Sequence, residues 1–248
     1  MNNVSFDKLE NLKKLEVNIE PSNQIYIKDN KLYKFYNESY LNRLEKNKKM
    51  RLKFIDNIIN LNIDGCVLPL GKIYNKDKFV GVYMNYYENY FNLYDLLQMN
   101  VDYNTRLNLL KQINEIIKNL HKNNIVHEDI HLGNIITNLN SLKIIDLDES
   151  NFAYEKYCLK SDIKNMITVI ISIIYNFDFE DNIPLEKNKQ IKYILKFLDE
   201  INIDYNFKEY LKNIYIYNCD TNIIYPDYFF NTFDQEKIEY DNIKLSKR

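Results

Sequence analysis

The chain has 248 residues, 46% of them hydrophobic, enough for one large domain or two small lobes around a real core. Its formal net charge is −2, which removes the electrostatic case for nucleic acid or an anionic membrane surface as a partner. In chain order, residues 15–19 read as a strand and Glu20-Pro21-Ser22-Asn23 as a short polar turn. Residues 24–28 and 31–36 alternate like strands, with Asp29-Asn30 between them as a two-residue hairpin turn. Residues 39–60 read as one helix carrying Leu41, Leu44, Leu52, Ile55 and Ile59 on a single face. Residues 67–74 and 79–86 are again strands. Beyond them, residues 103–123 form an amphipathic helix with Leu110, Ile113, Ile117 and Leu120 at helical spacing, capped by Asp102 or Asn104. The short apolar runs 135–136 and 142–145 suit a small hairpin, and 161–176 is a nearly all-apolar, hence buried, helix. Further helices are expected over 187–200 and 207–217, and the polar tail 239–248 is expected to fray.

The switch from period-two to helical patterning near residues 86–89 predicts an α+β chain. Its sheet-based part spans 1–88 and its helical part 89–248. Cys66, Cys158 and Cys219 are odd in number and widely spaced, so neither a disulfide framework nor a zinc site is expected. The opening MNNVSFDKLENLKKLEV has no apolar core of a secretory signal. With reduced thiols, this points to a cytoplasmic protein. The longest apolar run, 166–175, is interrupted by Thr168 and Ser172 and is short of the roughly 20 residues that span a bilayer.

The informative segment is His127-Glu128-Asp129-Ile130-His131-Leu132-Gly133-Asn134, followed by Ile144-Ile145-Asp146-Leu147-Asp148. Asp129 and Asn134 stand five apart in a loop after an amphipathic helix, and Asp146 ends an apolar strand. A carboxylate at Asp129 can orient an acceptor hydroxyl and take its proton. The oxygens of Asn134, Asp146 and Asp148 are hard ligands suited to Mg²⁺. This ordered set resembles the catalytic and metal-binding loops of protein kinases and their small-molecule relatives. The resemblance implies a two-lobed protein-kinase-like fold, a small antiparallel-sheet lobe plus a helical lobe. It also implies an ATP- and Mg²⁺-dependent transfer of phosphate to a hydroxyl, with protein Ser/Thr as the first expectation and a small molecule as the alternative.

On the same resemblance, Lys34 in its aromatic-flanked strand would contact nucleotide phosphates, with Glu45 as its helix partner. Ser22 and Asn23 would face the phosphates, and Met84 and Tyr86 would lie near the adenine. Asp129 and His131 would be catalytic, His127 structural, and Asn134, Asp146 and Asp148 the metal set. Ser161-Asp162 resembles the motif whose Asp bonds the catalytic-loop backbone; an ordinary helix N-cap is the other reading.

The chain departs from the protein-kinase pattern in several places. A glycine-rich phosphate loop is missing, since the only glycines are Gly65, Gly71, Gly81 and Gly133. Glu128 replaces the Arg that pairs with a phosphorylated activation loop, and no long peptide-docking segment precedes Ser161. His131 and the Asp146-Leu147-Asp148 ending look like aminoglycoside and choline kinases. Two rivals stand beside this reading: a zinc hydrolase using His127, Asp129 and His131 on one strand face, and a pseudokinase acting as a binding module.

Overall fold

Asp29 and Asn30 both take left-handed backbone angles, φ 49° and 56°, in the computed structural model of this chain. That pair of angles makes a type I′ turn, whose twist matches the flanking strands and which Asp and Asn tolerate. The structure describes residues 3–6, 9, 11–15, 23–153, 156–184, 186–213 and 225–246. The chain divides into two units. One comprises Met1–Tyr90 and Ile145–Phe152, the other Phe91–Ile144 and Ala153–Arg248.

The first unit holds β1 (Val4–Ser5), β2 (Lys13–Lys14), β3 (Asn23–Lys28), β4 (Lys31–Tyr36), β5 (Pro69–Asn75) and β6 (Lys78–Asn85). They form one sheet in the order β1-β5-β6-β4-β3-β2. β1 pairs parallel with β5, so the sheet is mixed rather than wholly antiparallel as the sequence suggested. Val4–Ser5 adds only a two-residue edge that no alternation pattern reveals. The strand expected over 15–19 begins earlier, at β2, and Leu15 N–H still donates to Ile25 O at 2.9 Å. Residues 16–19 lie outside the described residues.

The single helix expected over 39–60 is two helices, α1 (Glu38–Leu44) and α2 (Lys48–Ile58). The run Glu45-Lys46-Asn47-Lys48-Lys49 between Leu44 and Met50 carries no apolar side chain. With nothing there to bury, the chain turns, and Asn47 N–H bonds Leu44 O at 2.8 Å. The break lets Leu41, Leu44, Leu52 and Ile59 all pack on one cluster of Tyr36, Ile55, Val67, Phe79, Val82 and Met84. Each fully buried aliphatic side chain there contributes about 1.5–3 kcal/mol.

Strand alternation then decides where Lys34 goes. Leu32 and Tyr36 point into this cluster, while Tyr33 and Phe35 join Ile73 on the opposite face. Lys34 shares the face of Leu32 and Tyr36. It stands opposite Val82 in β6 and is only 5% exposed.

The second unit starts with β7 (Phe91–Asn92) and α3 (Leu93–Leu97). The long α4 (Tyr103–Lys122) is capped by the Asp102 side chain, which accepts from Thr105 N–H at 3.0 Å. Asp102 is thus the cap, not Asn104. Leu109, Leu110, Ile113, Ile117 and Leu120 of α4 are buried. A short extended segment, β8 (Ile125–Val126), leads to the loop of interest. After it, β9 (Ile135–Thr137) and β10 (Leu142–Ile144) form the expected hairpin, with β7 on the other side of β9. α5 (Lys156–Tyr175) packs on α4 and is buried throughout Met166–Tyr175, with Lys164 and Asn165 before that span half-buried.

α6 (Phe179–Asn182), α7 (Lys187–Glu200), α8 (Tyr205–Lys212) and α9 (Gln235–Ser246) complete the unit. The tail expected to fray is helical as α9 through Ser246, because Ile238 and Asp241 are buried against the unit. α8 starts before the expected residue 207, where the Asp204 carboxylate caps it, and its expected end at 214–217 lies outside the described residues. Among the described residues no helix is long and apolar enough to cross a membrane.

Gly81 ties the sheet to Lys34. A Cβ at this position would meet the backbone oxygen of Lys34 at 2.1 Å, a contact that only movement of β4 relieves. Gly81→Ala should therefore destabilise the protein by about 1–3 kcal/mol, the usual cost of overpacking, measured by urea unfolding. Wild-type stability would show that β4 yields freely at this point.

Candidate functional site

In the first unit, Lys34 organises a cluster of charge. Its ammonium pairs with the carboxylates of Asp146, Asp148 (3.1 Å) and Glu149 (3.1 Å). Asp146 has left-handed φ of 69° and opens a turn of 3-10 helix over Leu147–Glu149. That turn swings Asp148 and Glu149 back toward the same ammonium. Tyr36 donates its hydroxyl to Asp148 Oδ2, and its ring lies 5.5 Å from the Lys34 nitrogen. Arg51 of α2 donates to the backbone carbonyls of Ser150 and Asp148, the latter at 3.3 Å. The turn is thereby pinned to the helix through its main chain.

The electrostatics follow from this enclosure. Burial works to lower the Lys34 pKa, but Asp148, Asp146 and Glu149 outweigh it and push it up, so the side chain is an ammonium. Burial raises the Glu149 carboxyl, and Lys34 opposes that rise. Burial, then the charge of Asp148, raises the Tyr36 phenol and keeps it a donor.

Oxygen atoms of Asp146, Asp148 and Glu149 lie within 4.8 Å of one another. Asp148 is fully buried, and its Oδ1 has no hydrogen-bond partner among the described residues. An orphaned buried carboxylate oxygen is costly. Three carboxylates against one ammonium also leave surplus negative charge. Hard oxygens in this arrangement fit a divalent cation such as Mg²⁺.

The structure brings Lys34, Asp146 and Asp148 together but not Glu45. Glu45 is at the end of α1, largely exposed, and pairs with Lys48 at 2.9 Å. The expectation that it partners Lys34 assumed an unbroken helix, and the turn at 45–47 removes that geometry. Glu149 takes the place instead. Sequence reading missed it, although it stands three after Asp146, the spacing at which a 3-10 turn superposes side chains. Met84 is buried in the cluster opposite Leu32. Tyr86 is half-buried, and its N–H donates to Asn30 O at 3.0 Å. Asn23 opens β3, paired with Tyr36. Ser22 lies outside the described residues.

In the second unit, Asp129, His131 and Asn134 form a group of their own. Asn134 Nδ2 donates to the backbone oxygen of Asp129 at 2.9 Å and to its Oδ2 at 3.2 Å. His131 Nδ1 accepts from Gly133 N–H at 3.1 Å, which leaves Nε2 as the protonated nitrogen, 3.6 Å from Asp129 Oδ2. Gly133 is needed here because a Cβ would strike the His131 ring at 2.8 Å. The Asp129 side chain is 74% exposed, so its carboxylate is open to solvent and ligands. Its pKa is held below the ordinary range first by the neighbouring His131 ring, then by His127 and the Asn134 amide, with burial opposing.

Asp162 holds the loop from beneath. It is fully buried on α5, and Oδ2 accepts from His127 N–H and Oδ1 from Glu128 N–H, both at 2.8 Å. His121 Nε2 reaches Oδ2 at 3.1 Å, and His121 Nδ1 meets the Tyr225 hydroxyl at 2.9 Å. Asp162 therefore bonds the backbone of the loop that carries Asp129. The N-cap reading fails because α5 begins at Lys156, not at Ser161.

The strand that would align His127, Asp129 and His131 for zinc is not formed. Glu128 is left-handed, φ 68°, which breaks the alternation, and Asp129 N–H donates to His127 Nδ1 at 3.3 Å. Among the described residues, the Asp146, Asp148 and Glu149 cluster is what could hold a metal ion. No family model matches the chain, and no curated protein matches it.

Two outcomes are expected. Asp162→Asn offers a donor where buried N–H groups converge. It should cost about 3 kcal/mol in chemical denaturation, since each unsatisfied buried group costs about 1–3 kcal/mol; an unchanged midpoint would show the loop stands without it. The second concerns Asp129, whose pairing stabilises fully above the ordinary carboxylate pKa and is lost as pH falls through the depressed value. By carbon-detected NMR titration its carboxyl should fall below the ordinary value of about 3.9. His131→Ala should raise it, and equal midpoints would remove His131 as the cause.

Proposed function

We propose that this protein is an ATP- and Mg²⁺-dependent phosphotransferase that moves the γ-phosphate to a hydroxyl, on the two-lobed protein-kinase-like plan. The observation that carries the reading is the buried Lys34 ammonium paired with Asp146 in its left-handed turn. A lysine enclosed in a sheet and bound to a carboxylate cluster is an expensive arrangement for structure alone. It suits a site where phosphate charge must be neutralised. Two further features support the reading. One is the order hairpin, helices, hairpin in the first unit. The other is the Asp162 grip on the backbone of the Asp129 loop.

In this reading Lys34 holds phosphate oxygens. Asp129, held as a carboxylate by His131 and Asn134, orients the acceptor hydroxyl and takes its proton late in transfer. Asp146 and Asp148 would hold Mg²⁺, which would supply neutralising charge to phosphate oxygens. Two acceptors fit the chemistry, a protein Ser/Thr or a small molecule. One observation favours the small molecule: α5 begins at Lys156, so residues 147–155 alone separate it from Asp146. That is too short for a segment that docks a peptide.

The test is incubation with γ-labelled ATP, with and without Mg²⁺, in the presence of protein and small-hydroxyl acceptors. Label should move to an acceptor only with Mg²⁺, and Asp146→Ala should abolish transfer. Asp129→Asn should fold and bind Mg·ATP normally, yet lose about 10²–10⁴-fold in rate, the usual contribution of a positioned base. Wild-type turnover by Asp129→Asn would contradict the mechanism. Mg·ATP binding without transfer to any acceptor would make the chain a pseudokinase binding module.

A further inference from the structure

We infer that Glu149, rather than Glu45 at the end of α1, is the positioning residue for Lys34, carried on the same turn as the carboxylates that face it; this rests on the phosphotransferase reading above. The geometry leaves little choice. Lys34 is anchored in mid-strand, buried to 5% exposure, and its nitrogen has three carboxylate partners. In the working state two of them have other duties, since Asp146 and Asp148 would face the cation. Asp148 Oδ2 is also shared with the Tyr36 hydroxyl. Of the three carboxylates that lie within 4.8 Å of one another, Glu149, with Oε1 3.1 Å from the nitrogen, is the one this reading leaves to Lys34. Glu45 cannot serve, being largely exposed and paired to Lys48.

The backbone under Glu149 is fixed for this task. Glu149 N–H bonds Asp146 O at 3.3 Å. On either side of it, the carbonyls of Asp148 and Ser150 accept from Arg51. The side chain also lines a cavity of about 300 Å³ with Tyr40, Arg43, Met50 and Arg51, so it keeps solvent on one side and Lys34 on the other. Because one turn carries both Glu149 and Asp146, any movement of it displaces the lysine's partner and the metal-facing carboxylate together. A counter-ion borne on a separate helix would be free to move without the turn.

A double-mutant cycle tests this, using Glu149→Gln, Lys34→Met and the double variant of the full chain. In chemical denaturation, Glu149→Gln should lower the midpoint when Lys34 is present, and not when it is combined with Lys34→Met. By calorimetry, Glu149→Gln should weaken Mg·ATP about tenfold, within the range of direct couplings, and weaken it less than about twofold in the Lys34→Met background. Adenosine, which has no phosphate, should bind equally with and without the Glu149 change. Should Glu149→Gln not fold, Glu149→Asp, which keeps charge but shortens reach, takes its place in the cycle.

Additive midpoints would overturn the pairing. Equal weakening of adenosine and Mg·ATP would overturn the positioning role in favour of general distortion. If the wild-type chain bound neither, the phosphotransferase reading and the positioning role would both fall. The denaturation cycle would still decide whether Glu149 holds Lys34.

Discussion

A lysine ammonium cannot remain buried in an apolar face without compensating charge, and that constraint shapes the first unit. Strand alternation sends Lys34 toward Val82 and Tyr36 rather than toward water. The cost of desolvating that charge is met by the left-handed turn at Asp146, which aims three carboxylates at one nitrogen. The remaining contacts serve this arrangement. Tyr36 satisfies one oxygen of Asp148, Arg51 ties down the main chain of the turn, and Gly81 admits β6 close enough to the Lys34 carbonyl. Truncating any one carboxylate leaves the others in place but shifts the balance among them. For this reason their contributions are coupled rather than additive.

The second unit solves a different problem, holding a polar loop in a defined shape after an amphipathic helix. Its solution is a buried carboxylate. Asp162 collects the N–H groups of His127 and Glu128 together with the His121 ring. This allows the chain to pass through the left-handed conformation at Glu128, where a residue with a Cβ pays a steric cost. Beyond that point the loop is self-braced. His131 folds back on Gly133, and Asn134 reaches back to Asp129. The outcome is an exposed carboxylate on a rigid base, a combination useful for meeting a ligand.

The cluster and the loop use charge in opposite ways. Around Lys34, the ammonium and Asp148 are buried while Asp146 and Glu149 stay partly open, and burial strengthens the interactions of the inner pair. Around Asp129, the side chain is open and the nearby His131 ring, more than burial, sets its ionisation. Lysine and glutamate thus form a partly enclosed pair, while Asp129 stays accessible.

Much of this was legible in the residues themselves. Asp29-Asn30 specified a hairpin turn because these residues accept positive φ, and alternation placed Lys34 in mid-strand. Helical spacing marked the buried face of α4, and Asp129 and Asn134, five apart in one loop, are indeed brought together there. Local pattern could not show which partner Lys34 meets. Glu45 and Glu149 are both plausible carboxylates in sequence, and the choice depends on a helix break and on a 3-10 turn whose direction is set by contacts distant in the chain. The same holds for β1, whose two residues pair with β5 far along the chain, and for α9, whose polar stretch is helical because Ile238 and Asp241 find burial. The sequence by itself determined which residues could be buried, turned or charged, through period and side-chain chemistry. Only the tertiary structure decided which charges meet, because pairing across more than a hundred residues is fixed by packing, not by neighbours in the chain.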